Sequence, residues 1–238
     1  MEWLILGNLL PMALGQIGQS CEIILLRHAH SSANLKGILA GRDNTVSLSE
    51  RGRVEAQEVA HALASYSFDA IFTSPLKRCL ETLDPYLKAS GGKAVKSEAL
   101  LEMEYGEWSG KSLARLSKQK MWSVIQSRPS TVRFPSGESF LEMSMRANHG
   151  VMDMAQGKKR ILIVSHGDVI KSIVAHHLGL PLDSFQRISI DPASLTTIKF
   201  PPSQVISMNS TTHLAGYRQD SKKKVRDQYG LGGGSGRK

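Results

Sequence analysis

Two short apolar runs dominate the hydrophobic pattern of this chain: Cys21-Glu22-Ile23-Ile24-Leu25-Leu26 and Ile161-Leu162-Ile163-Val164-Ser165. Both are rich in branched aliphatics and lack the alternation of a half-solvated strand. That pattern predicts strands buried on both faces, as in a parallel sheet. A histidine follows each run, His28 after Arg27 and His166 after Ser165. Further strands are predicted over residues 69–73, 94–97, 188–190 and 194–200. Between them the apolar positions recur at helical spacing. Val54, Val59, Ala60 and Leu63 mark a helix over 53–64, with Ser49 as a cap ahead of it. Ser74-Pro75 predicts a second helix start, with Ser74 as cap and Pro75 at the first position. Amphipathic helices are predicted over 111–126 and 138–155, and another over 169–178 that Gly179-Leu180-Pro181 ends. Strands alternating with helices give an α/β fold, a three-layer αβα domain with a mostly parallel sheet.

The ends lie outside this pattern. The apolar stretch from Trp3 to Leu14 is interrupted by Asn8 and Pro11 and is too short to cross a bilayer. No cationic segment precedes it, as a secretory signal would require. Gly18-Gln19-Ser20-Cys21 faintly resembles a lipoprotein cleavage site but lacks the apolar residue three places before the cysteine. Residues 1–20 are therefore expected to be a disordered extension or a misassigned start. Residues 21–217 form the expected domain, and 218–238 a basic, Gly-rich disordered tail.

Composition changes the picture little. The chain is 41% apolar and 21% charged, ordinary for a soluble domain, and 238 residues suffice for one sizeable core. The net charge of +9 invites a nucleic-acid reading, but Lys222, Lys223, Lys224, Arg226, Arg237 and Lys238 crowd the end. The folded part is only mildly basic, which suits a positive pocket for a small anionic substrate. Cys21 and Cys79 have no metal-ligand spacing and read as reduced core residues of a cytoplasmic protein. No membrane association is expected, and the oligomeric state is not legible.

Ligands of open parallel sheets bind beyond the carboxyl ends of the strands, so Arg27, His28 and His166 should meet at one sheet edge. Two imidazoles and an arginine there suit phosphoryl transfer through histidine. His28 can attack if it is neutral, a form favoured by positive charge from Arg27 and Arg78. Arg27, Arg78 and His166 can then hold the phosphoryl oxygens. His28-Ala29-His30 also resembles a metal-binding HxH of a barrel hydrolase, but that needs further ligands on later strands. His176-His177, on consecutive helical positions, cannot share a face.

Five segments together resemble the histidine phosphatase superfamily, which includes cofactor-dependent phosphoglycerate mutases and many small phosphatases. They are Leu26-Arg27-His28-Ala29-His30-Ser31, Thr73-Ser74-Pro75-Leu76-Lys77-Arg78, Leu101-Glu102-Met103-Glu104-Tyr105-Gly106-Glu107-Trp108, Gly137-Glu138-Ser139 and Ser165-His166-Gly167. The resemblance covers about residues 21–214 and implies the phosphoglycerate mutase-like fold. Ser165-His166-Gly167-Asp168-Val169-Ile170-Lys171, Phe185-Gln186-Arg187-Ile188 and Asp191-Pro192-Ala193-Ser194 resemble a bacterial phosphoglycerate mutase-like subgroup in particular.

By this resemblance His28 carries the phosphoryl group and Arg27, Arg78 and His166 complete its pocket. Glu102 matches the proton donor that later activates water, and its choice over Glu104 or Glu107 rests on motif position. Asn34 matches a residue contacting the phosphoryl group, and Ser31 is a further substrate-binding candidate. Ala29 stands where the family usually has glycine, and His30 where it commonly has glutamate; His30 is given no catalytic role.

The implied activity is hydrolysis of a small phosphorylated metabolite, with no metal and no cofactor. A phosphomutase is the enzymatic alternative. A non-catalytic phosphate-ligand or scaffold protein is the alternative of another class. Mutases of this superfamily carry a long insertion with substrate-gripping arginines between the acid and the second histidine. Here Glu102 and His166 are 64 positions apart, with no paired arginines between them but Arg115, Arg128, Arg133, Arg146 and, at the start of the second apolar run, Arg160 dispersed along the interval.

Overall fold

The computed structural model describes residues 19–215. The expected extension, tail and outer domain boundaries therefore lie largely outside the described residues. A six-stranded sheet forms the centre, in the order β3-β2-β4-β1-β5-β6. Its strands are β1 (Cys21–Arg27), β2 (Ala70–Thr73), β3 (Val95–Lys96), β4 (Arg160–Ser165), β5 (Leu195–Phe200) and β6 (Gln204–Ser210). The first four run parallel, while β5 and β6 are antiparallel to their neighbours. The helices that matter for the site are α1 (Ser32–Lys36), α2 (Glu50–Leu63), α3 (Lys77–Ser90), α6 (Phe140–Ala155) and α7 (Gly167–His177), with short α4 (Leu113–Leu116) and α5 (Lys120–Ser127) between α3 and α6.

Strand pleating divides the core into two layers. Ile23, Leu25, Ile161 and Ile163 face one way, packing with Phe140, Met143 and Val151 of α6 and Val169 and Ile173 of α7. Ile24, Leu26, Leu162 and Val164 face the other, packing with Ala56, Val59 and Leu63 of α2 and Cys79 and Leu83 of α3. Covering both faces is what the continuous apolar runs demand. The resulting architecture is the three-layer αβα fold, and an open sheet excludes the barrel that the HxH reading required.

Four local expectations are corrected. Residues 111–126 do not form one helix, because α4 and α5 are separated by Ser117–Gln119 with Gln119 extended. Leu116 and Ile125 are both fully buried. Nine positions apart, they would project from opposite sides of a single helix, so the break lets both reach the core. Residues 188–190 are not a strand: Pro192 follows, Ala193 has φ 56°, and the Ile190 carbonyl is used by the Arg27 side chain. The sixth strand is instead β6, a half-polar edge strand without an apolar run to announce it. Finally, α3 starts at Lys77 rather than at Pro75, and its N-cap position is Leu76, without a side-chain cap. The Ser74 hydroxyl is occupied elsewhere. Ser49, by contrast, caps α2 as expected, accepting from the Gly52 N–H.

Candidate active site

The two apolar runs lie side by side, with Arg27 of β1 opposite Ser165 of β4. One residue further, the His28 N–H donates to the Ser165 carbonyl at 2.9 Å. His28 and His166 thus leave adjacent parallel strands at the same level, and their rings meet edge to face with centroids 5.3 Å apart. This pairing follows from strand spacing.

The hydrogen bonds specify the tautomer of each ring. His28 Nδ1 lies 2.8 Å from the Ala29 carbonyl oxygen, which only accepts, so Nδ1 carries the proton and Nε2 keeps a lone pair. His166 Nδ1 lies 3.1 Å from Arg78 Nη2, which only donates, so Nδ1 accepts and Nε2–H faces Ser74 Oγ at 2.8 Å. Burial first, then the Arg78 and Arg27 guanidiniums, hold His28 well below the usual imidazole range. Burial and Arg78 do the same to His166, with His28 adding to the effect. Both rings are therefore neutral at neutral pH.

Two buried arginines border them. Arg78, in the first turn of α3, also donates to the Gly41 carbonyl at 2.8 Å and the Asp43 carbonyl at 3.2 Å. Arg27 donates to the Ile190 carbonyl at 2.6 Å. Thr82 of α3 joins the two sides, accepting from the Ala29 N–H at 2.9 Å and donating to the Arg78 carbonyl at 2.7 Å. Ala29 is completely buried, so the turn accommodates its methyl group.

Glu102 is buried on an extended segment, its Oε1 accepting from the Met103 N–H at 3.0 Å and its Oε2 4.0 Å from His166 Nδ1. Burial, with the Asp168 carboxylate second, pushes its carboxyl up to about 7 against the opposing pull of Arg78 and Arg27. Glu104, two residues on, is partly exposed and faces Arg42 at 3.5 Å, and Glu107 is exposed. The Glu102 carboxyl goes to the Met103 N–H and toward His166, whereas that of Glu104 goes to Arg42. That arginine also donates to the Glu102 carbonyl at 2.9 Å and to Glu138 Oε1 at 3.0 Å.

His28, His166, Arg27, Arg78 and Glu102 thus converge as the sequence predicts. Ser31 and Asn34 stand in the next turn and satisfy each other in a capping box, Ser31 Oγ donating to Asn34 Oδ1 at 2.8 Å. Asn34 Nδ2 is the donor this leaves for a ligand. His30 turns away from His28 to Ser49 Oγ, at 2.8 Å, and burial pushes it down to about 4. His177 meets Ser203 Oγ at 3.0 Å in a structural contact. Among the described residues no group of three or more His, Cys, Asp or Glu side chains is arranged to hold a metal, and no helix is long and apolar enough to cross a membrane.

Supporting residues escaped the sequence reading. Glu138 Oε1 accepts from Arg42, from the Glu104 N–H at 2.9 Å and from Arg146 at 2.7 Å, and Arg146 also binds the Ala99 and Leu101 carbonyls. This knot holds the Glu102 segment. The signal was an acid after Gly137 in a motif, but nothing in the sequence named its partners. Asp168 and Lys171, opposite charges three apart in an otherwise apolar helix, were a signal for a buried ion pair.

Gly52 packs against the segment that carries the histidine. A Cβ there would lie 1.9 Å from the His30 carbonyl oxygen. Gly52→Ala is expected to destabilise the fold by about 1–3 kcal/mol through overpacking and to lower turnover, since His30 is two residues from His28. Thermal melting together with kcat checks this; an unchanged melting temperature would show that the contact relaxes freely.

Known proteins resemble this chain in sequence and in fold. The profile described as histidine phosphatase superfamily (branch 1) matches residues 23–210. Phosphoserine phosphatase 1 of Hydrogenobacter thermophilus is 27% identical over 214 residues, covering 86% of this chain and 99% of that protein. A 2,3-bisphosphoglycerate-dependent phosphoglycerate mutase of Cytophaga hutchinsonii is 26% identical, covering 81% of this chain and 92% of its own. Among solved structures, a mutant phosphoserine phosphatase of Entamoeba histolytica in complex with phosphoserine superimposes with a TM-score of 0.74. It is 26% identical, and the match covers 82% of this chain and 99% of that one. With the match spanning every segment that builds the histidine pair and its arginines, this chain belongs to the histidine phosphatase superfamily, branch 1.

Proposed function

We propose that this protein is a phosphomonoester hydrolase acting through a phosphohistidine at His28, on a small phosphorylated metabolite. One observation carries the reading: a neutral imidazole with a free Nε2 lone pair sits beside two buried guanidiniums and a carboxyl poised near neutrality. The His28 lone pair attacks phosphorus, forming the N–P bond as the ester P–O bond breaks. Glu102 gives its proton to the departing oxygen. Arg27, Arg78 and His166 hold the three peripheral oxygens as negative charge spreads over them. The Nδ1–H bond to the Ala29 carbonyl keeps the ring aimed and supports the cation it becomes. Water then attacks phosphorus, Glu102 takes its proton, and the N–P electrons return to His28. No step calls for a metal or cofactor. The two free, buried cysteines fit a reducing, cytoplasmic setting.

The runner-up is a phosphomutase, favoured by the mutase relative. A mutase must retain its intermediate and keep water from the phosphohistidine. Three arginines between the acid and the second histidine are already engaged, Arg133 with Glu142, Arg146 with Glu138 and Arg160 with Glu22. Arg115 and Arg128 are exposed. This supports net hydrolysis over retention of a second anionic group. Given 3-phosphoglycerate, the protein is expected to release free phosphate, with conversion to 2-phosphoglycerate slow or absent. Following both products in one sample tests this. Rapid isomerisation with little phosphate would replace the hydrolase reading by the mutase, and no turnover of any phosphomonoester would favour a binding protein. Phosphoserine belongs in the same screen, because relatives are named for it.

A further inference from the structure

A second polar chain lies buried behind the site and takes no part in the reaction as written. Tyr105 Oη donates to Asp168 Oδ2 at 2.6 Å, Lys171 Nζ lies 3.6 Å from Asp168 Oδ1, and Lys171 donates to Gln186 Oε1 at 3.2 Å. All four side chains are buried, and Lys171 also stands over the Phe185 ring. Keeping an ion pair in a core is costly unless geometry and hydrogen bonds compensate, and hydrophobic replacements often serve stability as well. The location of this pair suggests what it does instead. Tyr105 belongs to the segment that carries Glu102, and Asp168 lies in the first turn of α7, directly after His166. The chain therefore spans the acid and the second histidine.

We propose that Asp168 and Lys171 are positioning residues for Glu102: through Tyr105 they tie its segment to the helix behind His166 and set a pair of opposed charges behind the site. This inference rests on Glu102 being the proton donor. Asp168 and Lys171 act on Glu102 from α7, Arg78 from α3 and Arg27 from β1. His166 faces it across 4.0 Å, and Tyr105 approaches from its own segment. Of the charged neighbours, Asp168 has the largest effect on Glu102, raising its proton affinity, and Lys171 opposes it. A protonated acid at neutral pH is what an alkyl leaving group requires.

The test is the pH dependence of glycerol 2-phosphate hydrolysis by the full-length protein and three variants. In the native protein, activity should fall on the alkaline side as Glu102 loses its proton. Asp168→Asn removes a negative charge, so Glu102 releases its proton earlier and the limb should move to lower pH by about one unit. Lys171→Met removes a positive charge and should move the limb to higher pH. General loosening of the core would lower kcat in both variants without moving the limbs in opposite directions. A limb that stays in place, or moves the other way, in either variant overturns the proposal; if Asp168→Asn does not fold, Lys171→Met decides alone. Glu102→Gln separates the two readings. An alkaline limb that survives in it overturns the acid assignment and this inference together. A limb lost in Glu102→Gln but unmoved by the other substitutions overturns this inference only.

Discussion

His28→Ala is expected to lower turnover by about three orders of magnitude or more and to abolish covalent labelling. No neighbouring group can take over the attack. The other imidazole has no lone pair to offer, since Nδ1 accepts from Arg78 and Nε2 carries the proton. Cys79, 3.6 Å from His166 Nε2, is buried with its thiol pushed up to about 12, so its thiolate is absent at neutral pH. Brief mixing with a reactive aryl phosphate, followed by quenching, should leave acid-labile phosphate on native protein and none on the variant. Because the alanine removes a buried ring, a melting curve should accompany the assay. A folded variant that still turns over substrate would end the covalent mechanism.

Glu102→Gln is expected to lower kcat/KM, which reports the ester-cleaving step, by about two to three orders of magnitude for alkyl phosphates and far less for aryl phosphates. An alkoxide needs its proton as the P–O bond breaks, whereas a nitrophenolate leaves without one. The pH dependence follows the same logic. Burial and Asp168 raise the carboxyl to about 7, so it is protonated below that pH and able to donate. Above it the donor is lost, and alkyl hydrolysis should fall with rising pH while aryl hydrolysis holds. A bound phosphate dianion adds like charge and extends the protonated range upward. Equal losses on both substrate classes would move the acid elsewhere. A parallel rise in KM would make Glu102 an orienting group for the arginines instead.

The sequence by itself determined the frame of this protein. Its two unbroken aliphatic runs could be satisfied only by strands covered on both faces, and a histidine ended each. Strand register then made their convergence obligatory, since Arg27 and Ser165 pair as the last residues of β1 and β4. Capping was legible at Ser49 for the same reason: a hydroxyl ahead of a helical apolar pattern has a local partner, here the Gly52 N–H. The resemblance added Glu102, which no periodicity singled out. Failures came where the partner is distant in sequence. Ser74 looks like a cap, yet its hydroxyl goes to His166, 92 residues away. Residues 188–190 look like a strand, yet the Ile190 carbonyl serves Arg27, 163 residues away. The strand β6 exists because β5 offers it a hydrogen-bonding edge, without an apolar run of its own.

Only the tertiary structure decided which nitrogen of each imidazole carries its proton, because that depends on whether the atom facing it can donate or only accept. It likewise supplied the physical difference between Glu102 and Glu104, identical residues two apart that the sequence told apart by motif position alone. Burial and the Asp168 charge favour the protonated form of one, while Arg42 and solvent surround the other. Local sequence sets backbone preference and the direction of apolar side chains, which are short-range effects. Proton affinity and tautomer are set by desolvation and by charges from other segments, and these exist only after the chain has closed around them.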